Sequence, residues 1–197
     1  MRRKNSEEFK QEILEKGMDL MWLKGYNGTS VKDIVDEAGI PKGSFYNYFE
    51  SKEAFVIEAI YKFVEWGKTQ AEPILTDSSL SPISRLKKLF DVKIEYLVND
   101  MQLKKGCFAS NMATELADVN EKLGRIVQDA FGEMKRMHVE CIQEAIDLGE
   151  ISKDSNAEDL ADFIENVFRG AMIEMRTSKS DRALRISRKY IFDNILV

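Results

Sequence analysis

The sequence predicts an all-α fold. Only three prolines and eleven glycines occur in 197 residues, so signals that interrupt helices are few. Between those signals apolar residues recur near a 3.6-residue period, and no convincing strand pattern or internal repeat is present. No run of about 18 apolar residues is found, and no apolar stretch follows the basic N-terminus, so neither a transmembrane span nor a signal peptide is expected. These features predict a cytoplasmic protein.

Caps and breakers predict the ends of about nine helices. The first helix is expected to end at Gly25, because glycine readily closes a helix in the left-handed conformation. Thr29 or Ser30 caps the second helix, and Pro41 opens a short third helix. Ser51 caps the fourth, which Pro73 is expected to stop. The predicted ranges are 6–25, 30–37, 41–47, 51 to about 70, 82–100, 107–116, 120–148, 156–177 and 181–195.

Composition argues against several classes of function. The chain has one histidine and two cysteines, Cys107 and Cys141, too few for a metal cluster or a disulfide framework. No Ser/His/Asp set or phosphate-binding loop is present, so no enzymatic activity, metal or cofactor is expected. The net charge is −5, but residues 1–62 carry 10 Lys and Arg against 11 Asp and Glu. The N-terminal part is therefore near neutral, and global charge does not exclude nucleic acid as a partner.

Residues 29–52 have the pattern of a helix-turn-helix motif. Ala38-Gly39 allows two short helices to cross closely, and Lys42 places a positive charge at the start of the second. Phe45 and Phe49 are expected to face the core. Short or planar polar groups would then face outward, as an element that lies in a DNA major groove requires.

The residues of this region resemble the DNA-binding domain of the TetR family of repressors. The resemblance rests on Gly25-Tyr26, Thr29-Ser30-Val31, Ala38-Gly39-Ile40, Lys42-Gly43-Ser44-Phe45-Tyr46 and Tyr48-Phe49 with Ser51-Lys52-Glu53. It implies a homodimer with a helix-turn-helix DNA-binding domain at 1–50 and a ligand-binding and dimerisation domain at 51–197, in which 51–70 is a linking helix. It also implies a transcriptional repressor that binds double-stranded operator DNA and is released by a small-molecule effector.

The resemblance also assigns the DNA contacts. The implied set is Thr29, Ser30, Lys42, Gly43, Ser44, Tyr46, Asn47, Tyr48 and Lys52. Lys42 and Gly43 would meet base edges, whereas Tyr46, Tyr48 and Lys52 would meet phosphates. Alternatively, Tyr46 and Tyr48 are core aromatics. Arg2, Arg3 and Lys4 form either a DNA-contacting arm or a solvated segment.

A second segment is similar to the subgroup of TetR regulators that contains the N-ethylmaleimide reductase repressor. It comprises Lys105-Gly106-Cys107-Phe108 and residues 111–118, which begin with Asn111 and include Glu115. In that repressor the cysteine of the Gly-Cys pair senses electrophiles, and a helix N-terminus would lower the pKa of such a thiol. Cys107 is therefore either a sensor or a buried residue next to the helix start. Arg176 aligns with the lysine partner of the sensor, and because arginine stays protonated a Cys–amine crosslink is not expected.

The C-terminal half yields two further sets of candidates. The ligand-binding set is Phe63, Trp66, Phe90, Ile94, Cys107, Phe108, Met112, Phe131, Met134, His138, Phe163 and Val167. The dimer set is Phe163, Val167, Gly170, Ala171, Ile186 and Tyr190. Apolar and aromatic side chains suit an irregular apolar ligand, although the same residues could simply form the core. The alternative function is a DNA-binding scaffold that a protein partner controls without a small effector.

Overall fold

The computed structural model describes residues 6–117 and 121–197, and every regular element in them is a helix. Two of the helices continue into single π-helical turns, α5 into Tyr96–Asp100 and α9 into Ile191–Ile195. Within the described residues no helix combines the length and apolar character needed to cross a bilayer. The helices are α1 (Ser6–Lys24), α2 (Val31–Ala38), α3 (Lys42–Phe45), α4 (Lys52–Leu75), α5 (Pro82–Glu95), α6 (Phe108–Leu116), α7 (Glu121–Asp147), α8 (Ala157–Ser178) and α9 (Arg182–Tyr190).

The all-α prediction is confirmed, but the predicted end of the fourth helix is wrong. Helix α4 continues through Pro73 and ends at Leu75. Proline removes one intrahelical hydrogen bond and crowds the preceding turn, yet the helix needs to continue for only two residues beyond it. Arg2, Arg3 and Lys4, the predicted DNA-contacting arm, lie outside the described residues.

The chain divides into two compact units. Unit 1 comprises Met1–Phe63 with Phe108–Ala130, and unit 2 comprises Val64–Cys107 with Phe131–Val197. Helix α6 therefore belongs to the same unit as the N-terminal helices, although about 45 residues of sequence separate it from α4's first half. The functional division between 1–50 and 51–197 stays a prediction.

Three phenylalanines form the centre of the helix-turn-helix part of unit 1. Phe45, Phe49 and Phe55 are buried, and their ring centroids lie 4.9–5.8 Å apart. Phe55 also reaches α1, where a Cβ at Gly17 would lie only 2.4 Å from its Cζ atom. The core thus fixes α3 and the start of α4 against α1.

In unit 2, α5, α8 and the π-helical turn after α9 meet around Phe90. The Phe90 ring is buried and lies 4.9 Å from Phe168 and 5.3 Å from Phe192 in edge-on geometry. Edge-on packing of this kind stabilises aromatic pairs beyond the area that they bury. Phe90 is therefore a core residue of this unit.

Candidate nucleic-acid interface

Local signals in the sequence fix the helix-turn-helix geometry. Ser30 caps α2, since its Oγ accepts from the Asp33 N–H while the Asp33 carboxylate accepts from the Ser30 N–H. At the other end Gly39 takes a left-handed φ of 70°, and its N–H donates back to the Asp36 carbonyl. Glycine adopts that φ without strain, so the chain can reverse into Pro41 and begin α3.

Helix α3 and the turn that follows it, residues 42–49, present one buried side and one exposed side. Phe45 and Phe49 face the core, as predicted, while Lys42, Gly43 and Asn47 are exposed. Tyr46 is 53% exposed, which rules out the alternative that it is a core aromatic. The exposed side thus carries a cation, an amide and a phenol, which are groups that bind phosphates and base edges.

Two other predicted contacts of this helix region are less open. Ser44 is half-buried. Tyr48 is also half-buried, and its ring centroid lies 5.8 Å from that of Phe9 in α1. Packing on Phe9 restricts the ring of Tyr48.

Thr29 does not fit the predicted DNA contact. Its side chain is fully buried, and its Oγ1 donates 2.8 Å to the Gly25 carbonyl. The hydroxyl therefore stabilises the turn between α1 and α2 from inside. Ser30, which is exposed, is the residue of this pair whose position suits a contact with DNA.

The start of α4 places a lysine beside an aromatic ring. Ser51 caps the helix, because its Oγ accepts from the Ala54 N–H at 3.0 Å. The Lys52 Nζ lies 3.9 Å from the centroid of the Tyr26 ring, a cation–π contact. Partial burial lowers the pKa of Lys52, and the negative charges of Glu115 and Asp33 oppose that shift. The half-buried ammonium is thereby fixed next to the N-terminus of α4.

Sequence reasoning missed three hydrogen bonds that α6 makes with the end of α1 and the turn after it. Glu115 accepts hydrogen bonds from the backbone of Tyr26 and Asn27, and Asn111 donates to the Trp22 carbonyl. Asn111 and Glu115 lie one helical turn apart, so the sequence indicates that they share a face of α6 but does not indicate what that face contacts.

The predicted ligand-binding residues are divided between the two units. In unit 1, Phe63, Phe108 and Met112 are buried, and the two rings pack with Trp22 at centroid distances of 5.3–5.8 Å. These three residues belong to the core of unit 1. In unit 2, Ile94 is also core, as Phe90 is.

The other predicted ligand-binding residues of unit 2 lie in different environments. Trp66 is exposed, and its ring packs at a tilt against that of Tyr96, with the centroids 5.1 Å apart. Phe131 lies beneath the Arg169 guanidinium, 4.3 Å from ring centroid to Cζ. Phe163 is exposed and Val167 is half-buried. Cys107 is buried, directly before the start of α6. Arg176 packs against the preceding residue, Gly106, where an added Cβ would lie 3.2 Å from the Arg176 Cδ.

His138 belongs to an ionic cluster between α5, α7 and α8, in which the histidine and Glu165 are buried and the two cations are half-buried. We define this cluster as Lys93, His138, Glu165 and Arg169. The Glu165 carboxylate lies 3.4 Å from His138 Nδ1, 3.2 Å from an Arg169 nitrogen and 3.9 Å from Lys93 Nζ. Burial and the charge of Lys93 lower the pKa of His138 to about 4. The imidazole is therefore neutral at pH 7, and its Nδ1 lies 3.2 Å from the Met134 carbonyl.

A cavity of about 350 Å³ lies elsewhere in unit 2. None of the predicted ligand-binding residues lines it. A bidentate ion pair between Arg85 and Glu144 forms one wall, and the buried Cys141 forms another. Burial raises the pKa of the Cys141 thiol to about 11, so this cysteine is a thiol at pH 7. The lining is Leu75, Thr76, Ser78, Arg85, Met137, Glu140, Cys141 and Glu144.

The predicted dimer residues lie on α8 and α9, and they differ in exposure. Phe163 and Gly170 on α8 are exposed, as are Ile186 and Tyr190 on α9. Ala171, however, is buried in the core of its own chain, because it lies about 100° around the helix from Gly170. The pattern instead exposes Ile173, which was missed although it lies three residues beyond Gly170.

Comparison with known proteins defines the class of protein. Residues 13–59 match the family described as bacterial regulatory proteins, tetR family. Residues 82–191, more than half of the chain, match the tetracyclin repressor-like C-terminal domain. The chain belongs to the TetR family of bacterial transcriptional regulators, which confirms the resemblance found in the sequence.

A curated relative matches nearly the whole chain. The HTH-type transcriptional repressor DhaR of Mycobacterium sp. strain GP1 is 32% identical over 187 residues, which cover 95% of this chain and 92% of that protein. KstR2 of Mycolicibacterium smegmatis is also named a transcriptional repressor. It is 28% identical over 157 residues, which cover 80% of this chain and 74% of KstR2. These relatives are regulators rather than enzymes.

Solved structures share the fold. The regulatory protein TetR from Rhodobacter sphaeroides superposes with a TM-score of 0.87 at 23% identity, over 92% of this chain and 96% of its own. The reduced form of NemR from E. coli gives a TM-score of 0.85 at 18% identity, over 96% and 97%. At these identities the likeness establishes the arrangement of helices.

Proposed function

We propose that this protein is a transcriptional repressor that binds operator DNA as a homodimer and releases it when a small molecule binds. The observation that carries the proposal is the exposed polar side of α3, which Phe45 and Phe49 fix to the core. A rigid support of this kind orients a short helix for insertion into the major groove. DhaR and KstR2 are named repressors, which supports the same activity for this chain.

In this proposal the predicted contacts divide by role. Lys42 and Gly43 lie at the open start of α3 and face base edges; an added Cβ at Gly43 would meet nothing within 4 Å, so backbone can approach the groove. Ser30, Tyr46 and Lys52 bind phosphates, which set affinity and its dependence on salt. Ser44, Asn47 and Tyr48 lie beside these residues and form the rest of the proposed DNA-binding surface.

Exposed apolar residues on α8 and α9 support the homodimer. Phe163, Gly170 and Ile173 follow one another along α8 at helical spacing, and Ile186 and Tyr190 do so on α9. Large apolar side chains on the surface mark interaction sites when they are contiguous on a helix face. A second copy of the same face would cover them in an isologous interface, and two copies would present two α3 helices to one operator.

The effector part of the proposal rests on unit 2. The cavity of about 350 Å³ lies within the size range of small-molecule sites, which is roughly 300–1,000 Å³. A cavity of this size favours a small effector over the alternative of a scaffold that only a protein partner controls. An electrophilic effector would act on Cys107, and because this thiol is buried, such a molecule would have to be small.

A gel-shift experiment tests the proposal. DNA from immediately upstream of the gene is mixed with the wild-type protein and with Lys42→Ala, which removes one exposed charge without touching the core. We expect specific retention by the wild type and weaker retention by the variant, with both proteins equally folded by circular dichroism. No specific retention by the wild type would refute the proposal.

A second experiment tests the electrophile arm. The protein–DNA complex is titrated with an alkylating agent, and DNA release is followed for the wild type and for Cys107→Ser. Release that depends on Cys107 supports electrophile sensing, whereas equal release in both proteins excludes it.

A further inference from the structure

Helix α6 completes the hydrogen bonding at the C-terminal end of α1. If α1 continued, the Tyr26 N–H would donate to the Trp22 carbonyl. Instead the Tyr26 N–H donates 3.0 Å to Glu115 Oε1, and the Asn27 N–H donates 2.7 Å to Glu115 Oε2. The Trp22 carbonyl accepts from Asn111 Nδ2 at 3.2 Å. One face of α6 thus supplies both the acceptors and the donor that the helix end lacks.

The turn after α1 is shaped to receive this carboxylate. Gly25 has a φ of +79°, and a Cβ built on it would lie 2.1 Å from Glu115 Oε1. Any other residue at position 25 would therefore both strain the backbone and displace the carboxylate. The Glu115 carboxylate accepts two backbone hydrogen bonds, and Gly25 leaves room for it. This combination makes the turn a specific binding site for the carboxylate rather than a chance surface contact.

The same turn leads directly to groups that are proposed to bind DNA. Tyr26 supports the Lys52 ammonium on its ring, and the chain passes from Asn27 into the Ser30 cap of α2 within three residues. The Glu115 charge also acts on Lys52, since it counters the effect of burial on that ammonium. A shift of the turn would therefore move both Ser30 and Lys52.

We propose that Glu115 and Asn111 are positioning residues for DNA binding, which fix the α1–α2 turn so that Ser30 and Lys52 face phosphates. This inference rests on the proposed function and deepens it. It gives a physical role to the Asn111 and Glu115 spacing in the second segment that the sequence singled out. Helix α6 begins at Phe108, the residue after Cys107, so this cysteine is covalently attached to the helix that fixes the turn.

The test compares the full-length wild type with Glu115→Ala, Glu115→Gln and the control Thr114→Ala. Thr114 is the exposed neighbour of Glu115 on α6, and its Oγ1 donates 2.8 Å within that helix, to the Asn111 carbonyl. Amide exchange at Tyr26 and Asn27 is measured by NMR. Affinity is measured by fluorescence anisotropy on a duplex that the wild type has selected from random DNA.

We expect Glu115→Ala to accelerate exchange at both amides and to weaken DNA binding, each by about tenfold, the order for losing a hydrogen bond to a charged group. Glu115→Gln keeps an oxygen acceptor but loses the charge, so its exchange rates and DNA affinity should lie between those of the wild type and Glu115→Ala. If Glu115→Ala does not fold, the comparison of Glu115→Gln with the wild type is the test. Thr114→Ala should match the wild type in both measurements.

Three results would overturn the inference. Unchanged exchange at Tyr26 and Asn27 in a folded variant would show that Glu115 does not fix the turn. Faster exchange with wild-type affinity would show that the turn does not position DNA-binding groups. If the wild type itself selects no DNA, both the proposed function and the positioning role fail. The first two results differ from this one, because in them the wild type still binds DNA.

Discussion

The ionic cluster around His138 makes the stability of unit 2 depend on pH. Its ring is 3% exposed and faces Lys93 on α5 and Glu165 and Arg169 on α8, beside the Phe90 ring. Burial and the charge of Lys93 lower the pKa of His138 from 6.5 to about 4 in the folded protein. The unfolded chain therefore takes up the proton at a higher pH than the folded chain does.

The sign and size of the effect follow from this difference. Because the unfolded state binds more protons below pH 6.5, the free energy of unfolding should fall as the pH falls from 6.5 towards 4. One pKa unit corresponds to about 1.4 kcal/mol, so the loss should reach about 2 kcal/mol at pH 5. Burial raises the pKa of Glu165, but Lys93, His138 and Arg169 lower it on balance, so this carboxylate does not take up a proton ahead of an ordinary glutamate as the pH falls.

Urea denaturation at pH 7 and pH 5 measures the effect at one fixed protein concentration. The reference is His138→Gln, whose amide can still bond to Lys93 and the Met134 carbonyl but does not titrate. We expect the wild type to lose about 2 kcal/mol more than the variant between the two pH values. Equal losses in the two proteins would refute the reasoning, since the histidine would then not be held neutral by its surroundings.

Three further predictions concern the DNA surface, the cavity wall and the dimer face. Tyr46→Phe removes one exposed hydroxyl and should weaken operator binding about threefold to tenfold at an unchanged melting temperature; equal affinity in anisotropy titrations would exclude a hydroxyl contact. Arg85→Ala leaves the Leu75 and Leu80 carbonyls without their donor and should lower the free energy of unfolding by about 2–3 kcal/mol in urea, while a loss under about 1 kcal/mol would contradict this role. Phe163→Asp should convert dimer to monomer at micromolar concentration in sedimentation velocity, and a persistent dimer would place the interface elsewhere.

Local signals explain why the helix-turn-helix region could be predicted from the sequence. The Ser30 cap, the left-handed Gly39 and the Ser51 cap each depend on residues within four positions, so reading the chain in order finds them. Phe45 and Phe49 follow from the same short-range periodicity. Pro73 is the exception, because its effect on α4 depends on how many residues follow before the helix ends.

Long-range packing explains what could not be predicted. Apolar periodicity marks Phe90 and Met112 as facing inward, but it does not distinguish a core position from a cavity wall, and both are core. On α8 the predicted dimer face includes Ala171, which is buried, and omits Ile173, which is exposed. Because neighbouring residues differ by about 100° around a helix, a shift of one position in the predicted face reverses such an assignment. Glu115 binds backbone 88 and 89 positions away, a distance over which no periodicity carries information.

Selection of DNA from a random duplex pool by the full-length wild-type protein tests the central claim most directly. A homodimer that places two α3 helices in the major groove should enrich one palindromic sequence whose half-sites lie about one helical turn, or a whole number of turns, apart. Lys42→Ala, carried through the same rounds, should enrich it less. If the wild type enriches no sequence, or only one half-site without its mirror copy, the account of a dimeric DNA-binding repressor is contradicted.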